Sequence, residues 1–212
     1  MSSTGGGEPR VLPDDAAGRA AAIEVLRAGG IVALPTDTVY GIAVALETPG
    51  GIERLFRVKE RPPEKGIVLL LAEAAQAWEL GARNERASRL ADAFWPGPLT
   101  LVLERLEGAA LPEALTGGLP TIGVRMPAHG SPRVLAAALG PLPTTSANRS
   151  GEADALDAAT VVTQLGDRVD LVLDGGRTAG PAASTVVDCT QDPPAILRHG
   201  ALPEARIRDA LA

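Results

Sequence analysis

The sequence predicts a single α/β domain with a twisted, mixed parallel and antiparallel sheet flanked by helices. Strand-like and helix-like segments alternate along all 212 residues, and no repeat or linker longer than a loop divides them. The run GIVLLLA, residues 66–72, is continuously apolar, as is typical of a central strand covered on both faces. Hydrophobic residues make up 45% of the chain, which is enough to build a sizeable core.

The first half of the chain predicts helices and strands in the following order. Residues 14–30 form a helix that Asp14 or Asp15 caps and that the pair Gly29–Gly30 ends. IVALPT and GIAVAL are two strands joined by a tight turn over residues 36–41. GGIERLFRVKE is a helix, GIVLLLA the central strand, and AEAAQAWEL and NERASRLADAFW two further helices.

The second half continues the alternation. PLTLVLER and TIGVRMP predict strands, SPRVLAAALG a helix, and PLPTTSAN a strand that enters a loop. DAATVVTQLG is a helix and DLVLDGG a strand, whereas STVVDC and AILRHG form a strand pair before the closing helix LPEARIRDALA. We assign residues 1–10, which include GGG, to a disordered tail, and residues 11–212 to the domain.

Composition excludes several classes of protein. With 20 basic and 26 acidic residues the net charge is −6, so the surface as a whole does not attract nucleic acid, although a local basic cleft remains open. Cys189 is alone, which excludes an internal disulfide and a cysteine-based zinc site. The N-terminus lacks the apolar core of a signal peptide and no run is long enough to span a membrane, so we expect a cytoplasmic protein.

Familiar catalytic motifs are absent from the sequence. There is no P-loop, no G-x-G-x-x-G and no G-x-S-x-G elbow. His129 and His199 lie far apart and lack the spacing of metal ligands, so we expect no protein metal site. Hydrolase and metalloenzyme functions therefore find little support.

The segment RVKERPPEKG gathers cations on a rigid turn. Arg57, Lys59, Arg61 and Lys65 lie within nine residues, and two prolines stiffen the middle. Cations are common at helix C-termini, where the dipole is negative and proline ends the helix. The same arrangement also suits a bound anion, and this segment alone does not decide between the two interpretations.

Polar side chains also follow several predicted strands, where sites of α/β proteins are usually built. Each of them also suits an ordinary turn or a strand end. Taken together, the cations suit phosphate or carboxylate oxygens, and the hydroxyls and amide suit a small polar ligand or a ribose. With few acidic or histidine bases among them, the set indicates catalysis by positioning and charge stabilisation. The polar residues are Thr36, Asp37, Thr38, Tyr40, Arg125, Ser146, Asn148, Ser184 and Arg198.

Seven motifs in order resemble the YrdC family of threonylcarbamoyl-AMP synthases. They are GGIVALPTDTVYGIAVAL, KERPPEKGIVLLL, WPGPLTLVL, TIGVRMPAH, PTTSANRSG, STVVD and ILRHGAL, and the resemblance runs from about Ala16 to the C-terminus. It implies a nucleotidyltransferase that forms threonylcarbamoyl-AMP and pyrophosphate from L-threonine, bicarbonate and ATP, with Mg²⁺ accompanying the ATP. A transferase system then modifies tRNA with the product. The family's fold implies a large cationic cavity within the sheet-and-helix domain.

The resemblance also assigns roles to single residues. Lys59 and Arg61 are implied to be catalytic and to hold the ATP phosphates, with Lys65 on the same wall. Arg125 is implied to pair with the threonine carboxylate. The other residues implied to bind ATP are Thr121, Ser146, Asn148 and Arg198. The other residues implied to bind threonine are Thr36, Thr38, Tyr40 and Ser184.

Two departures and two alternatives accompany this assignment. Many family members have KP or NP where this chain has Lys65–Gly66, and the loop EADALD, residues 152–157, lacks the usual Ser, Pro and Thr. We expect no second domain of the kind that longer members carry. The alternatives are a non-catalytic RNA-binding module, against which the acidic charge and five aromatic residues count, and the carbamoyl-adenylate domain of hydrogenase maturation.

Overall fold

The computed structural model describes residues 8–60, 66–180 and 182–212, and the predicted α/β class is confirmed. The described residues form one mixed sheet with helices packed against it. Its strands are β1 (Arg10–Pro13), β2 (Val32–Leu34), β3 (Gly41–Ala43), β4 (Val68–Leu70), β5 (Leu99–Glu104), β6 (Thr121–Arg125), β7 (Leu142–Ser146), β8 (Leu171–Asp174), β9 (Thr185–Asp188) and β10 (Ala195–Arg198).

Several of the helices begin after residues whose side chains accept hydrogen bonds from free backbone N–H groups. Asp15, Asn84 and Asp157 each accept a hydrogen bond from the backbone N–H three residues later, which stabilises a helix N-terminus. The helices are α1 (Ala16–Arg27), α2 (Gly51–Lys59), α3 (Ala75–Leu80), α4 (Glu85–Phe94), α5 (Glu113–Thr116), α6 (Gly130–Leu139), α7 (Ala158–Leu165) and α8 (Glu204–Leu211).

Strands far apart in the sequence are neighbours in the sheet. The order is β1-β8-β2-β3-β7-β4-β6-β5-β9-β10. Parallel pairing joins β1 to β8, β8 to β2, β4 to β6 and β5 to β9, whereas the other neighbours are antiparallel. The predicted central strand β4 does lie near the middle, and β9 and β10 pair as expected.

Aliphatic side chains form the core on both faces of this sheet. The larger cluster includes Leu55, Leu69 and Leu101, and the smaller one packs α1 and α6 against the other face through Leu26 and Leu135. With few aromatic residues available, close packing of Leu, Val, Ile and Ala supplies most of the buried apolar area. A rigid sheet between two apolar layers therefore supports the polar residues at its strand ends.

The structure adds elements that the sequence did not indicate. Strand β1 was not predicted, because its four residues RVLP end in proline and run directly into the first helix. Helix α5 is a single turn and was also missed. Of the predicted disordered tail, residues 1–7 lie outside the described residues, and Arg10 already belongs to β1.

The thiol of Cys189 is buried at the end of β9. Its backbone N–H donates to the Val102 carbonyl at 3.0 Å, and its carbonyl accepts the Asn84 amide at 2.8 Å. Burial raises the pKa of this thiol to about 12.

None of the helices within residues 8–60, 66–180 and 182–212 is long and apolar enough to cross a bilayer.

Candidate functional site

A cavity of about 110 Å³ lies against five neighbouring strands, β3, β7, β4, β6 and β5, and opens to solvent. Its floor is apolar, with Val68 and Leu70 from β4, and its walls are polar. The polar side chains that line it are Thr36, Thr38, Tyr40, Thr100, Arg125, Thr144, Thr145, Ser146, Ser184 and Arg198.

Arg125 ends β6 and is held by three different acceptors. Its Nε donates to the Gly97 carbonyl at 3.0 Å, Nη1 to Thr38 Oγ1 at 2.9 Å and Nη2 to Asp37 Oδ1 at 2.6 Å. Only 5% of Arg125 is exposed, and burial lowers the pKa of its guanidinium while the carboxylate of Asp37 opposes that shift. Three of its five N–H groups are thus committed to the protein, and Arg125 is among the residues that line the cavity.

The turn between β2 and β3 fixes the direction of its hydroxyl groups. Thr36 Oγ1 donates to the Val39 carbonyl at 2.7 Å, which commits its single proton. The contact of 3.0 Å between the hydroxyls of Thr36 and Thr38 therefore has Thr38 as its donor. Thr38 Oγ1 in turn accepts from Arg125, so Thr38 keeps only acceptor capacity towards a ligand. Thr36, which also accepts from two backbone N–H groups, holds the turn together.

Arg198 ends β10 and also lines the cavity. Its Nε and Nη2 donate to the Ser184 carbonyl at 3.0 and 2.8 Å, and Nη2 also reaches Ser184 Oγ at 3.0 Å. Ser184 Oγ lies 2.8 Å from Thr100 Oγ1 on β5. Surrounding protein atoms lower the pKa of the Arg198 guanidinium, and Asp154 opposes that shift, although the side chain is exposed to solvent.

Lys59, Ser146 and Asn148 form a third polar group beside the cavity. Lys59 Nζ donates to the Ser146 carbonyl, to Ser146 Oγ and to Asn148 Oδ1 at 2.7, 2.9 and 2.7 Å. Lys59 is 3% exposed and Asn148 7% exposed. Of the three, Ser146 lines the cavity itself, so the other two support it from behind.

Two predicted site residues are placed differently from the rest. The ring of Tyr40 lines the cavity, but its hydroxyl donates to the Gly176 carbonyl at 2.7 Å and accepts from the Gly175 N–H at 3.1 Å. Burial raises the pKa of Tyr40 to about 12, so the hydroxyl stays neutral and fastens the loop after β8. Thr121 begins β6, whereas Arg125 ends it, which separates them by about 13 Å along the strand.

The predicted residues Arg61 and Lys65 lie outside the described residues. Within residues 8–60, 66–180 and 182–212, no group of three or more His, Cys, Asp and Glu side chains is arranged to hold a metal ion. His129 caps α6 by accepting from the Ser131 N–H, and burial lowers the pKa of its imidazole.

Two contributions to the site were not assigned by sequence reasoning. Asp37 received no role of its own among the polar residues that follow strands, and the structure pairs it with Arg125. Thr100 was not singled out, because one threonine within the apolar run LTLVL resembles an ordinary strand residue. Its position opposite Ser184 arises from the parallel pairing of β5 with β9, for which the sequence carries no local signal.

The fold and cavity define an α/β protein in which two arginines and several hydroxyl groups line one pocket beside the sheet. The family model described as "Telomere recombination", which covers Sua5, YciO and YrdC, matches residues 24–200. A threonylcarbamoyl-AMP synthase of Pyrococcus abyssi is 37% identical over 188 residues, which are 88% of this chain and 55% of that protein. A putative threonylcarbamoyl-AMP synthase of Mycobacterium leprae is 36% identical over 94% of this chain and 90% of its own length.

Solved structures of the same family superpose on this chain. The crystal structure of P. abyssi Sua5 complexed with L-threonine superposes with a TM-score of 0.89 at 35% identity, over 97% of this chain and 60% of that one. Escherichia coli YciO superposes with a TM-score of 0.83 at 27% identity, over 98% of this chain and 100% of that one. This chain belongs to the Sua5/YciO/YrdC family. It spans about 55% of the length of the P. abyssi and Bacillus subtilis relatives it matches.

Proposed function

We propose that this protein is a threonylcarbamoyl-AMP synthase, which joins L-threonine, bicarbonate and ATP. Relatives that carry this name match most of the chain, and one similar structure was solved with L-threonine. The observation that carries the proposal is the burial of Arg125 and the hydrogen bonds that it makes. A buried arginine that lines the cavity and keeps two N–H groups beyond those bound to the protein suits a carboxylate, which pairs with the planar guanidinium.

The neighbours of Arg125 suit the other polar group of an amino acid. Thr38 Oγ1 accepts a hydrogen bond from Arg125 at 2.9 Å, and it keeps acceptor capacity for a further N–H. A donor and an acceptor this close match the carboxylate and the amine that share one α-carbon. The amine has to be neutral to attack carbon dioxide, and an uncharged acceptor such as Thr38 imposes little preference for the ammonium form.

The reaction has two bond-forming steps. The threonine amine attacks the carbon of CO₂ derived from bicarbonate, and loss of one proton gives the carbamate. A carbamate oxygen then attacks the α-phosphorus of ATP, and the bond to the β-phosphate oxygen breaks as pyrophosphate leaves. The products are threonylcarbamoyl-AMP, pyrophosphate and water. Mg²⁺ enters as part of the ATP substrate, and fixed cations offset the charge of the transition state.

The nucleotide is proposed to lie towards Ser146, Asn148 and Arg198. Arg198 has N–H groups on Nη1 beyond those that hold Ser184, and these suit a phosphate or carboxylate oxygen. Arg61 and Lys65 are proposed as phosphate ligands from the family resemblance. The product is proposed to pass, in the cytoplasm, to a transferase system that modifies tRNA.

The proposal is tested by pyrophosphate release from ATP with each substrate omitted in turn. We expect release to require both threonine and bicarbonate. Serine should react more weakly, because one lost methyl contact costs roughly 1 to 3 kcal/mol in a fitted pocket. Equal release without threonine or without bicarbonate would refute the reaction. Binding of RNA without any ATP turnover would instead favour the non-catalytic module.

A further inference from the structure

The contacts of Lys59 differ from those of a phosphate ligand. Lys59 is the last residue of α2, it is 3% exposed, and its ammonium lies among oxygens at the end of β7 and in the loop that follows. A lysine ammonium has three N–H groups, and the bonds to the Ser146 carbonyl, Ser146 Oγ and Asn148 Oδ1 match that number. A phosphate oxygen would have to displace one of these acceptors from a buried position.

We infer that Lys59 is a positioning residue, which sets the geometry and the hydrogen-bond polarity of Ser146 and Asn148. The inference rests on the proposed function only in treating these two residues as part of the nucleotide side. Direct contact with the ATP phosphates is then left to other cations. The positive charge of Lys59 still contributes to the potential in the cavity, but its N–H groups serve the protein.

The network around Lys59 determines which way each neighbour faces. Ser146 Oγ donates to Asn148 Oδ1 at 2.7 Å and accepts from Lys59. Asn148 Oδ1 therefore receives two hydrogen bonds, which directs its amide nitrogen away, towards the Glu152 carbonyl at 2.6 Å. With its proton committed, Ser146 presents only an acceptor to the cavity. An acceptor suits a donor such as a ribose hydroxyl and is unfavourable beside a phosphate oxygen.

A backbone contact holds the same two segments together. The Ser150 N–H donates to the Lys59 carbonyl at 3.1 Å, so the loop is fastened to the end of α2 at both its main chain and its side chains. Removing the ammonium leaves the buried amide oxygen of Asn148 and the partly buried oxygens of Ser146 with fewer donors. That deficit exists before any ligand binds, and it can therefore be measured on the ligand-free protein.

Thermal melts of ligand-free variants test the inference. Lys59→Met keeps the length of the side chain and removes the ammonium, and it should lower the Tm by roughly 4 to 8 °C. Arg57→Met is the matched control, since it removes an exposed cation two residues earlier on the same helix and should change the Tm by less than about 2 °C. Asn148→Ala should lower the Tm as well.

The decisive measurement is the double variant of Lys59→Met and Asn148→Ala. If Lys59 acts through Asn148, the double variant should melt close to the less stable single variant, because the second change removes a bond already lost. The ATP KM should follow the same non-additive pattern. If Lys59→Met does not fold, Lys59→Arg replaces it in the comparison of single and double variants. The planar guanidinium differs in shape from the ammonium and does not reproduce its three bonds to these oxygens.

The opposite result would overturn the inference. A Lys59→Met protein with an unchanged ligand-free Tm, and an ATP KM effect that adds fully to that of Asn148→Ala, would mean that Lys59 binds the nucleotide directly. The melts need no turnover, so they separate this outcome from failure of the proposed reaction. Failure of that reaction would appear in the wild type as pyrophosphate release that does not depend on threonine.

Discussion

Two arginines face the same cavity but are held in different ways. Arg125, at the end of the central strand β6, is almost fully buried and pairs with the Asp37 carboxylate at 2.6 Å. Arg198, at the end of the edge strand β10, is exposed and is fastened to the neutral oxygens of Ser184. Burial lowers the pKa of both guanidinium groups, and a carboxylate opposes that shift in each case, Asp37 for Arg125 and Asp154 for Arg198.

The difference shows what each position requires. An unpaired charge in the sheet interior is costly, so Arg125 needs a permanent carboxylate whether or not a ligand is bound. At the edge of the sheet water solvates the charge, and hydrogen bonds to neutral groups suffice to orient Arg198. We therefore expect substitution of Arg125 to affect both stability and binding, and substitution of Arg198 to affect binding almost alone.

Arg125→Ala should have the largest effect. It leaves the partly buried carboxylate of Asp37 without its cation, which should lower the free energy of unfolding by about 3 kcal/mol. The threonine requirement should rise by about 30-fold or more, with a much smaller change in the ATP requirement. Arg125→Lys should restore part of the stability and part of the threonine affinity, because lysine keeps the charge but lacks the planar guanidinium. Unchanged threonine dependence in folded Arg125→Ala would remove this residue from the threonine side.

Asp37→Asn should have an intermediate effect and sharpens the comparison. Asparagine keeps the shape and an acceptor for Arg125 but removes the charge, so the free energy of unfolding should fall by about 1 to 2 kcal/mol. The threonine requirement should stay the same or decrease, because Arg125 keeps its place while one opposing charge is lost. Urea unfolding and threonine titrations measure both. A steep rise in the threonine requirement would show that Asp37 acts on the substrate.

Arg198→Ala should have the smallest effect on the fold. Loss of its bonds to Ser184 should change the free energy of unfolding by less than about 1 kcal/mol, since the site is exposed. The ATP requirement should rise by about 10-fold or more if Nη1 binds the nucleotide. Arg208→Ala on α8, which removes a surface pair with Glu204, is the control and should leave turnover unchanged. A stability loss equal to that of Arg125→Ala would remove the distinction between the two arginines.

The sequence predicted those features that depend on near neighbours. Asp15 caps α1 and the glycines after it end the helix, because both signals lie within a few residues of the helix. The position of β8 between β1 and β2 was not predictable, since it depends on contacts between distant segments. Likewise, Arg125 and Asp37 are 88 residues apart, so only the folded sheet reveals their pairing. The family resemblance named Arg125 but not the carboxylate that holds it.

The buried thiol of Cys189 gives this protein a built-in chemical probe. It is the single cysteine of the sequence, and its pKa of about 12 leaves almost no thiolate at neutral pH. Cys189 follows β9, Ser184 directly precedes it, and β9 lies beside β5. A thiol reagent can react there only when this part of the sheet opens. The labelling rate, compared with and without ligand, therefore reports how strongly an occupied cavity closes the β5–β9 side of the sheet.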